Sequence, residues 1–220
     1  MTAYLAKYRP LLSTPEGQRA AERFKIPPFV DGSCRREPDL ESKFPSITAL
    51  CRGALFAPKL SVGDEVIYIT FKNFYRQPSK HWRIVARLRV HRRFESHQHA
   101  AQWYRNNVVS LPSNCMVAGN PPKPLSQTLR AESSCGPGCS GSAATLKEWN
   151  DHYQKRANDH PVFLACELVW KELNSPAILT QAAALEILKT WDRVNARSPI
   201  TISQSEAAAL EKNALSRKPQ

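Results

Sequence analysis

The densest group of chemically capable side chains in the chain is Arg35–Arg36–Glu37–Pro38–Asp39–Leu40–Glu41–Ser42. A guanidinium offers paired N–H donors that match a phosphate or the acceptor edge of a base, so Arg35 and Arg36 are candidates for holding either. The same two residues could instead pair with Glu37 or Asp39. A second cationic set is Arg83, Arg87 and Arg89, which alternate with Trp82, Ile84, Ala86, Leu88 and Val90. Alternation of this kind predicts a strand with one buried face and one face lined with arginines, suited to phosphates or simply to solvent.

The balance of charge agrees with a polyanionic partner. The 220 residues carry 31 Lys and Arg against 19 Asp and Glu, a formal +12. Each phosphate neutralised by a cation releases condensed counterions, which drives nucleic-acid binding without any sequence motif. Flat side chains that could stack on a base are Trp82, Trp103 beside Tyr104, and Tyr68, although tryptophans at such positions equally serve a core. Ser33, Thr48 and Asn114 are short polar groups able to read a base edge. Asn114 sits in Pro112–Ser113–Asn114–Cys115, where it could also cap a turn.

Catalysis and metal binding have weaker support. Cys34 or Cys51 with His81, His97 or His99 would make a nucleophile and base, but no local signature joins any pair. Eight glycines in all leave no glycine-rich phosphate loop. Cys135 and Cys139 flank a Gly-Pro-Gly bend, and zinc would require two more ligands from Cys115, His152 or His160. The expectation is free thiols, no metal and no cofactor.

These groups need elements to hold them. Thr14 or Ser13 before Pro15 predicts a short helix after an N-terminal arm, the two covering residues 1–28. Gly63–Asp64 followed by Glu65–Val66–Ile67–Tyr68–Ile69–Thr70–Phe71 predicts a strand buried on both faces, and Trp82–Val90 the next one. Ser46–Cys51 could begin a short helix. Ser96 caps a helix bearing Ala100, Trp103 and Tyr104. A Pro-, Gly- and Ser-rich stretch, 108–141, reads as an irregular insertion. Ser142 could cap a helix with Leu146, Trp149 and Tyr153, Pro161–Trp170 returns to a strand, and Thr180 and Ser203 or Ser205 open two further helices. Residues 216–220 form a tail. The apolar runs are too short for a bilayer span and the N-terminus lacks a secretory signal, so a soluble cytoplasmic protein without membrane contact is expected.

Three stretches, in order, resemble the EVE domain, a PUA-like relative of the YTH domain. They are Arg35–Ser42, similar to that family's Lys-x-Glu-Pro-Asp-x-x-Ser; Val62–Tyr68 with Arg83–Val90; and the C-terminal series Val162–Val169, Leu173–Thr180 and Ser198–Ser203. The family's Asn-Tyr-Gln-Ala-Arg-Asn run is replaced by Thr48–Ala49–Leu50–Cys51–Arg52–Gly53, which keeps Arg52 alone. The resemblance implies an α+β fold, a PUA-like mixed β-barrel flanked by helices, spanning 29–215 with the insertion inside it. It also implies a non-catalytic reader of DNA or RNA that takes one flipped, modified base into an aromatic pocket. ASCH-type relatives hydrolyse modified nucleosides or cut RNA, and here Lys72, Thr70 and Glu37 could mimic such a set. A third possibility is a protein-interaction module that docks through 108–141.

Overall fold

The computed structural model describes residues 1–107, 110–130 and 145–216. Among them seven strands form one mixed sheet: β1 (Ala3–Tyr8), β2 (Ser46–Thr48), β3 (Glu65–Thr70), β4 (Trp82–Phe94), β5 (Phe163–Lys171), β6 (Ala177–Leu179) and β7 (Ile200–Ile202). Their order is β2-β5-β4-β3-β1-β7, with β6 paired to β4. The class is α+β, as expected. The hydrogen-bonded path has two ends, at β2 and β7, and the described residues do not close it into a barrel.

The N-terminus is not an arm. Ala3–Tyr8 lies inside the sheet, parallel to β3 and antiparallel to β7, and residues along it alternate between two cores. Ala6 and Tyr8 join Val66, Tyr68, Leu88 and Val90 on one face. Ala3 and Leu5 join Ile67, Ile69 and Trp82 on the other, under the helices α4 (Gln181–Leu188), α5 (Trp191–Asn195) and α6 (Gln204–Ser216). A sheet covered on both faces explains why β3 is buried throughout and why Val66–Ile69 is apolar on both sides rather than alternating.

β4 holds the decisive irregularity. Tyr68 pairs with Ala86 and Ile69 with Ile84, so Val85 is an extra residue in the ladder. A bulge of one residue reverses the facing of everything beyond it. Trp82 and Ile84 therefore point into the helix-covered core, whereas Ala86, Leu88 and Val90 point into the opposite one. All five are buried, as the alternation predicts, but they do not share a face, and neither do the arginines between them.

Helix starts follow the sequence closely. Thr14 caps α1 (Pro15–Phe24) by accepting from the Gly17 N–H, and the Ser96 hydroxyl accepts from His99 N at the start of α2 (His97–Asn107). Thr180 caps α4. The helix α3 (Leu146–Asp159) is capped by Thr145, in a reciprocal box with Glu148, rather than by Ser142, which lies outside the described residues. Ser46–Thr48 is strand β2, not the start of a helix, because it pairs with Phe163–Ala165 of β5.

Residues 110–130, expected to be an irregular insertion, are tied to the 31–36 segment. Lys123 N donates to Cys34 O, Leu129 N donates to Gly32 O, and Arg35 donates to the carbonyls of Ser113 and Asn120. The cysteine pair 135 and 139, and residues 217–220 of the expected tail, lie outside the described residues, whereas Ser216, expected to begin that tail, is the last residue of α6. Among the described residues no helix is long and apolar enough to cross a membrane, and no group of three or more His, Cys, Asp or Glu could hold a metal ion.

Candidate functional site

A cleft of about 270 Å³ opens where the C-terminal end of β1 meets the 31–37 segment. Its walls come from separate parts of the chain: Tyr8 and Arg9, then Asp31, Ser33 and Glu37, Cys51 and Arg52 beyond β2, Phe71 beyond β3, Leu129 and Arg130, and Tyr153 of α3. Binding pockets for small ligands run from about 300 to 1,000 Å³, so this one suits a single planar ring rather than a longer ligand.

Local chemistry explains how the walls are brought together. Pro10 and Asp31 form an antiparallel bridge, and Gly32 N donates to Arg9 O, which holds the 31–37 segment against the end of β1. Gly32 has no Cβ, and one placed there would lie 2.2 Å from Leu129 Cδ2. This close approach lets the Leu129 side chain lie on Gly32 while Leu129 N donates to Gly32 O, which brings Arg130 into the cleft wall, its guanidinium 4.0 Å from the Trp149 ring centre. Arg9, exposed, lies over Phe71 at 5.9 Å. Arg52 lies over Phe56 at 5.7 Å and donates to Lys7 O.

The floor is acidic but not fully ionised. Asp31 Oδ1 accepts from Ser33 N at 2.9 Å, from Glu37 N at 3.0 Å and from the Ser33 hydroxyl. Among the described residues its Oδ2 accepts no hydrogen bond. Burial raises the Asp31 pKa against these bonds and the pull of Arg36. Glu37 is more strongly affected: burial pushes it up to about 8, although Thr48 N, the Thr48 hydroxyl and Asn114 Nδ2 all donate to it. Near neutral pH it therefore carries a proton for much of the time, leaving three guanidiniums over a floor of low negative charge. Cys51 is accessible to solvent in the cleft yet enclosed by protein on its other sides. That enclosure, followed by Asp31 and Glu37, raises its thiol pKa and keeps it protonated.

Four of the expected site residues converge here. Ser33 and Arg52 line the cleft, and Thr48 and Asn114 stand directly behind Glu37. The others are elsewhere. Arg35 is buried and bonded to Asn150 Oδ1, Ser113 O and Asn120 O; Arg36 is buried and bonded to Asp31 O, Ser33 O and Gln127 O. Both guanidiniums fasten loops together rather than face a ligand. Tyr68 and Trp82 are 2% exposed and sit in opposite cores. Trp103 packs among Phe44, Phe94 and Tyr104, with Arg92 over its ring at 5.8 Å.

The expected arginine stripe is divided by the Val85 bulge. Arg83 turns toward Phe29, donating to Pro176 O at 2.7 Å and to His81 Nε2 at 2.9 Å. Arg87 and Arg89 face the other way and clasp the buried Glu65 at 2.6 and 2.9 Å, and Arg87 also pairs with Glu211 of α6. Burial alone would raise the Glu65 pKa, but the hydrogen bonds and charges of Arg87 and Arg89 outweigh it and hold the carboxyl below its usual range.

The catalytic sets considered from sequence do not assemble. Thr70 Oγ1 accepts from Arg83 N and Lys72 Nζ donates to Gln181 Oε1, whereas Glu37 is bonded to Thr48 and Asn114. Among the described residues no hydrogen bond joins Cys34 or Cys51 to His81, His97 or His99; His81 is bonded to Ser79 O and Arg83, and His97 to Met116 N. Asp31, Arg9, Arg130, Phe71 and Tyr153 enter the site without having stood out in the sequence. Only Asp31 carries a signal there, since Asp-Gly-Ser is a turn in which the carboxylate accepts from the backbone two residues on.

Comparison of the chain with protein-family models, with curated proteins and with solved structures gives no match in any of the three.

Proposed function

We propose that this protein is a PUA-like, EVE-related nucleic-acid reader whose cleft between β1 and the 31–37 segment accepts one extruded, modified base. The observation that carries the reading is the cleft itself: Arg9, Arg52 and Arg130 stand around a hollow of one-ring size that contains Phe71, Tyr153 and the polar pair Asp31 and Ser33. Phe71 offers a ring face, and Asp31 Oδ2 with the Ser33 hydroxyl offers groups for the base edge. Arg9 and Arg130, at the mouth, meet the phosphates on either side of the flipped nucleotide. The formal +12 supplies the long-range attraction. Glu37 of the Glu-Pro-Asp segment and Arg52, both in the cleft wall, support the EVE relationship, whereas the open sheet departs from that family's barrel. On this reading the protein acts inside the cell, where nucleic acid is present.

The test is a fluorescence anisotropy titration of short single-stranded DNA and RNA carrying a methylated cytosine, a methylated adenine or neither. Micromolar or tighter binding that prefers one modified strand, and that Asp31→Ala abolishes, is the expected result. Equal, weak binding to every strand by the folded protein would remove the base-reading claim. A hydrolytic reading draws on Glu37, whose proton is held to about pH 8 at the wall of the cleft. Release of a product from any of these strands, lost in Glu37→Gln, would favour it.

A further inference from the structure

The antiparallel pair β3 and β4 continues beyond its ladder into a finger. Asn73 and His81 form a further bridge, with Asn73 N donating to His81 O at 3.0 Å and His81 N donating to Asn73 O at 2.9 Å. Seven residues, 74–80, make the tip. One of them is drawn inward: Tyr75 is buried, its hydroxyl donates to Phe71 O at 2.5 Å, and its ring packs on Phe29 and His81. Tyr75 and Arg76 both adopt left-handed backbone, with φ of 44° and 62°, an arrangement that non-glycine residues resist. The anchored tyrosine and the turned backbone leave Phe74 facing out, 48% exposed, with Lys80 over its ring at 5.3 Å.

Charge and position give this exposed ring a direction. From Phe71 to Trp82 the chain has Lys72, Arg76 and Lys80 and no carboxylate; Arg76 pairs with Glu22 of α1 and Lys72 donates to Gln181 Oε1, while Lys80 stays beside Phe74. Phe71 is in the cleft wall, so the Phe74 backbone can be at most about 11 Å from it. An apolar ring with Lys80 beside it, no more than about three base steps from a one-ring hollow, is placed to enter a stack of bases while a neighbouring base leaves it. The groove geometry selects the polymer. B-form DNA admits a two-stranded β ribbon to its bases, whereas the major groove of A-form RNA is too deep and narrow for one.

We infer that the protein's target is double-stranded DNA and that Phe74, at the tip of the β3–β4 finger, inserts into the gap left by the base that enters the cleft. This rests on the reading of the cleft as a base-binding site. Phe74 touches no core cluster, so its replacement leaves the fold intact, which far-ultraviolet circular dichroism verifies. The experiment compares wild type, Phe74→Ala and Phe74→Trp on one sequence as a single DNA strand, a DNA duplex and an RNA duplex. A fluorescent adenine analogue stands beside the modified base.

Phe74→Ala should lose roughly tenfold or more in affinity for the DNA duplex and change single-strand affinity less than about twofold. Wild type should brighten the unstacked analogue in the duplex, Phe74→Ala should not, and Phe74→Trp should restore both signals. Equal loss on single strand and duplex, no loss on either, or a preference for the RNA duplex would each overturn the wedge. Loss of binding to anionic phosphatidylserine vesicles alone would do the same and assign the finger to a membrane surface. If wild type binds no strand in any form, the base-binding reading itself fails; if it binds the single strand with a modified-base preference but binds the duplex no better than Phe74→Ala does, only the wedge fails.

Discussion

The cleft at the end of β1 and the outer part of β4 both concentrate arginines, yet their guanidiniums do opposite work. On β4, Arg87 and Arg89 close on one buried carboxylate, Glu65, and Arg87 takes a second at Glu211. Around the cleft, Arg9 and Arg130 lie over aromatic rings, and the nearby Glu37 keeps its proton to about pH 8. The same residue type is thus internal cement in one place and available positive charge in the other. Availability depends on which carboxylates the fold brings within reach, not on how many arginines a segment contains.

Four experiments can break or sharpen that contrast. The largest effect is expected from Glu65→Ala, which leaves the Arg87 guanidinium without its buried partner. Removing one member of a buried pair costs about 3–5 kcal/mol, so the denaturant midpoint should fall steeply while oligonucleotide affinity, measured below that midpoint, stays unchanged. If affinity falls as well, β4 is part of the binding surface and the contrast is lost.

Next comes the pH dependence of Glu37. Its pKa is raised in the folded state from 4.5 to about 8, so the stabilisation it gives is complete below about pH 4.5 and disappears as pH rises through 8. Glu37→Gln, which mimics the protonated form, should flatten that decline by a few kcal/mol, because each tenfold change in an acid's dissociation constant on folding is worth about 1.4 kcal/mol. His97 acts in the reverse sense. Burial, then Arg35, lowers its pKa from 6.5 to about 4, so its contribution is present above pH 6.5 and fades as pH falls through 4. Unfolding curves for wild type and Glu37→Gln from pH 4 to 9 separate the two; parallel curves would mean that Glu37 is ionised in the fold.

Reversing the cleft charges with Arg9→Glu and Arg130→Glu together should weaken oligonucleotide binding by roughly tenfold or more. It should also reduce the dependence of log Kd on log salt by about 2, one for each phosphate contact removed. An unchanged slope would take both residues out of the interface. The smallest effect belongs to Arg89→Ala. Its side chain is 46% exposed, and Arg87 still holds Glu65, so thermal unfolding should register less than about 1 kcal/mol, with no change in binding.

Much of the secondary structure is legible in the sequence because it rests on local rules. Thr14 before Pro15, Ser96 and Thr180 each cap a helix where expected, since a cap is a bond between a side chain and a backbone N–H two or three residues away. The strands Glu65–Thr70 and Trp82–Phe94 begin at the residues that turn signals and alternation predict. Ala3–Tyr8 is not legible in this way, because Tyr-Leu-Ala-Lys-Tyr has no turn before it and little alternation; its strand conformation comes from β3 and β7 on either side. Ser46–Thr48 likewise becomes a strand through its distant partner β5.

The candidate site divides along the same line. Chain order alone locates the Glu-Pro-Asp segment, Ser33, Thr48 and Arg52, and its excess of cations points to an anionic partner. It cannot reveal the extra residue at Val85, which turns Arg83 away from Arg87 and Arg89, because a bulge is a mismatch between two strands and neither carries it alone. Nor can it gather Arg9, Asp31, Phe71 and Arg130, which approach one another through the sheet register and the seat at Gly32. Side-chain type is a property of one position, whereas burial, pairing and protonation belong to a neighbourhood. That neighbourhood exists only once distant stretches of chain have packed together.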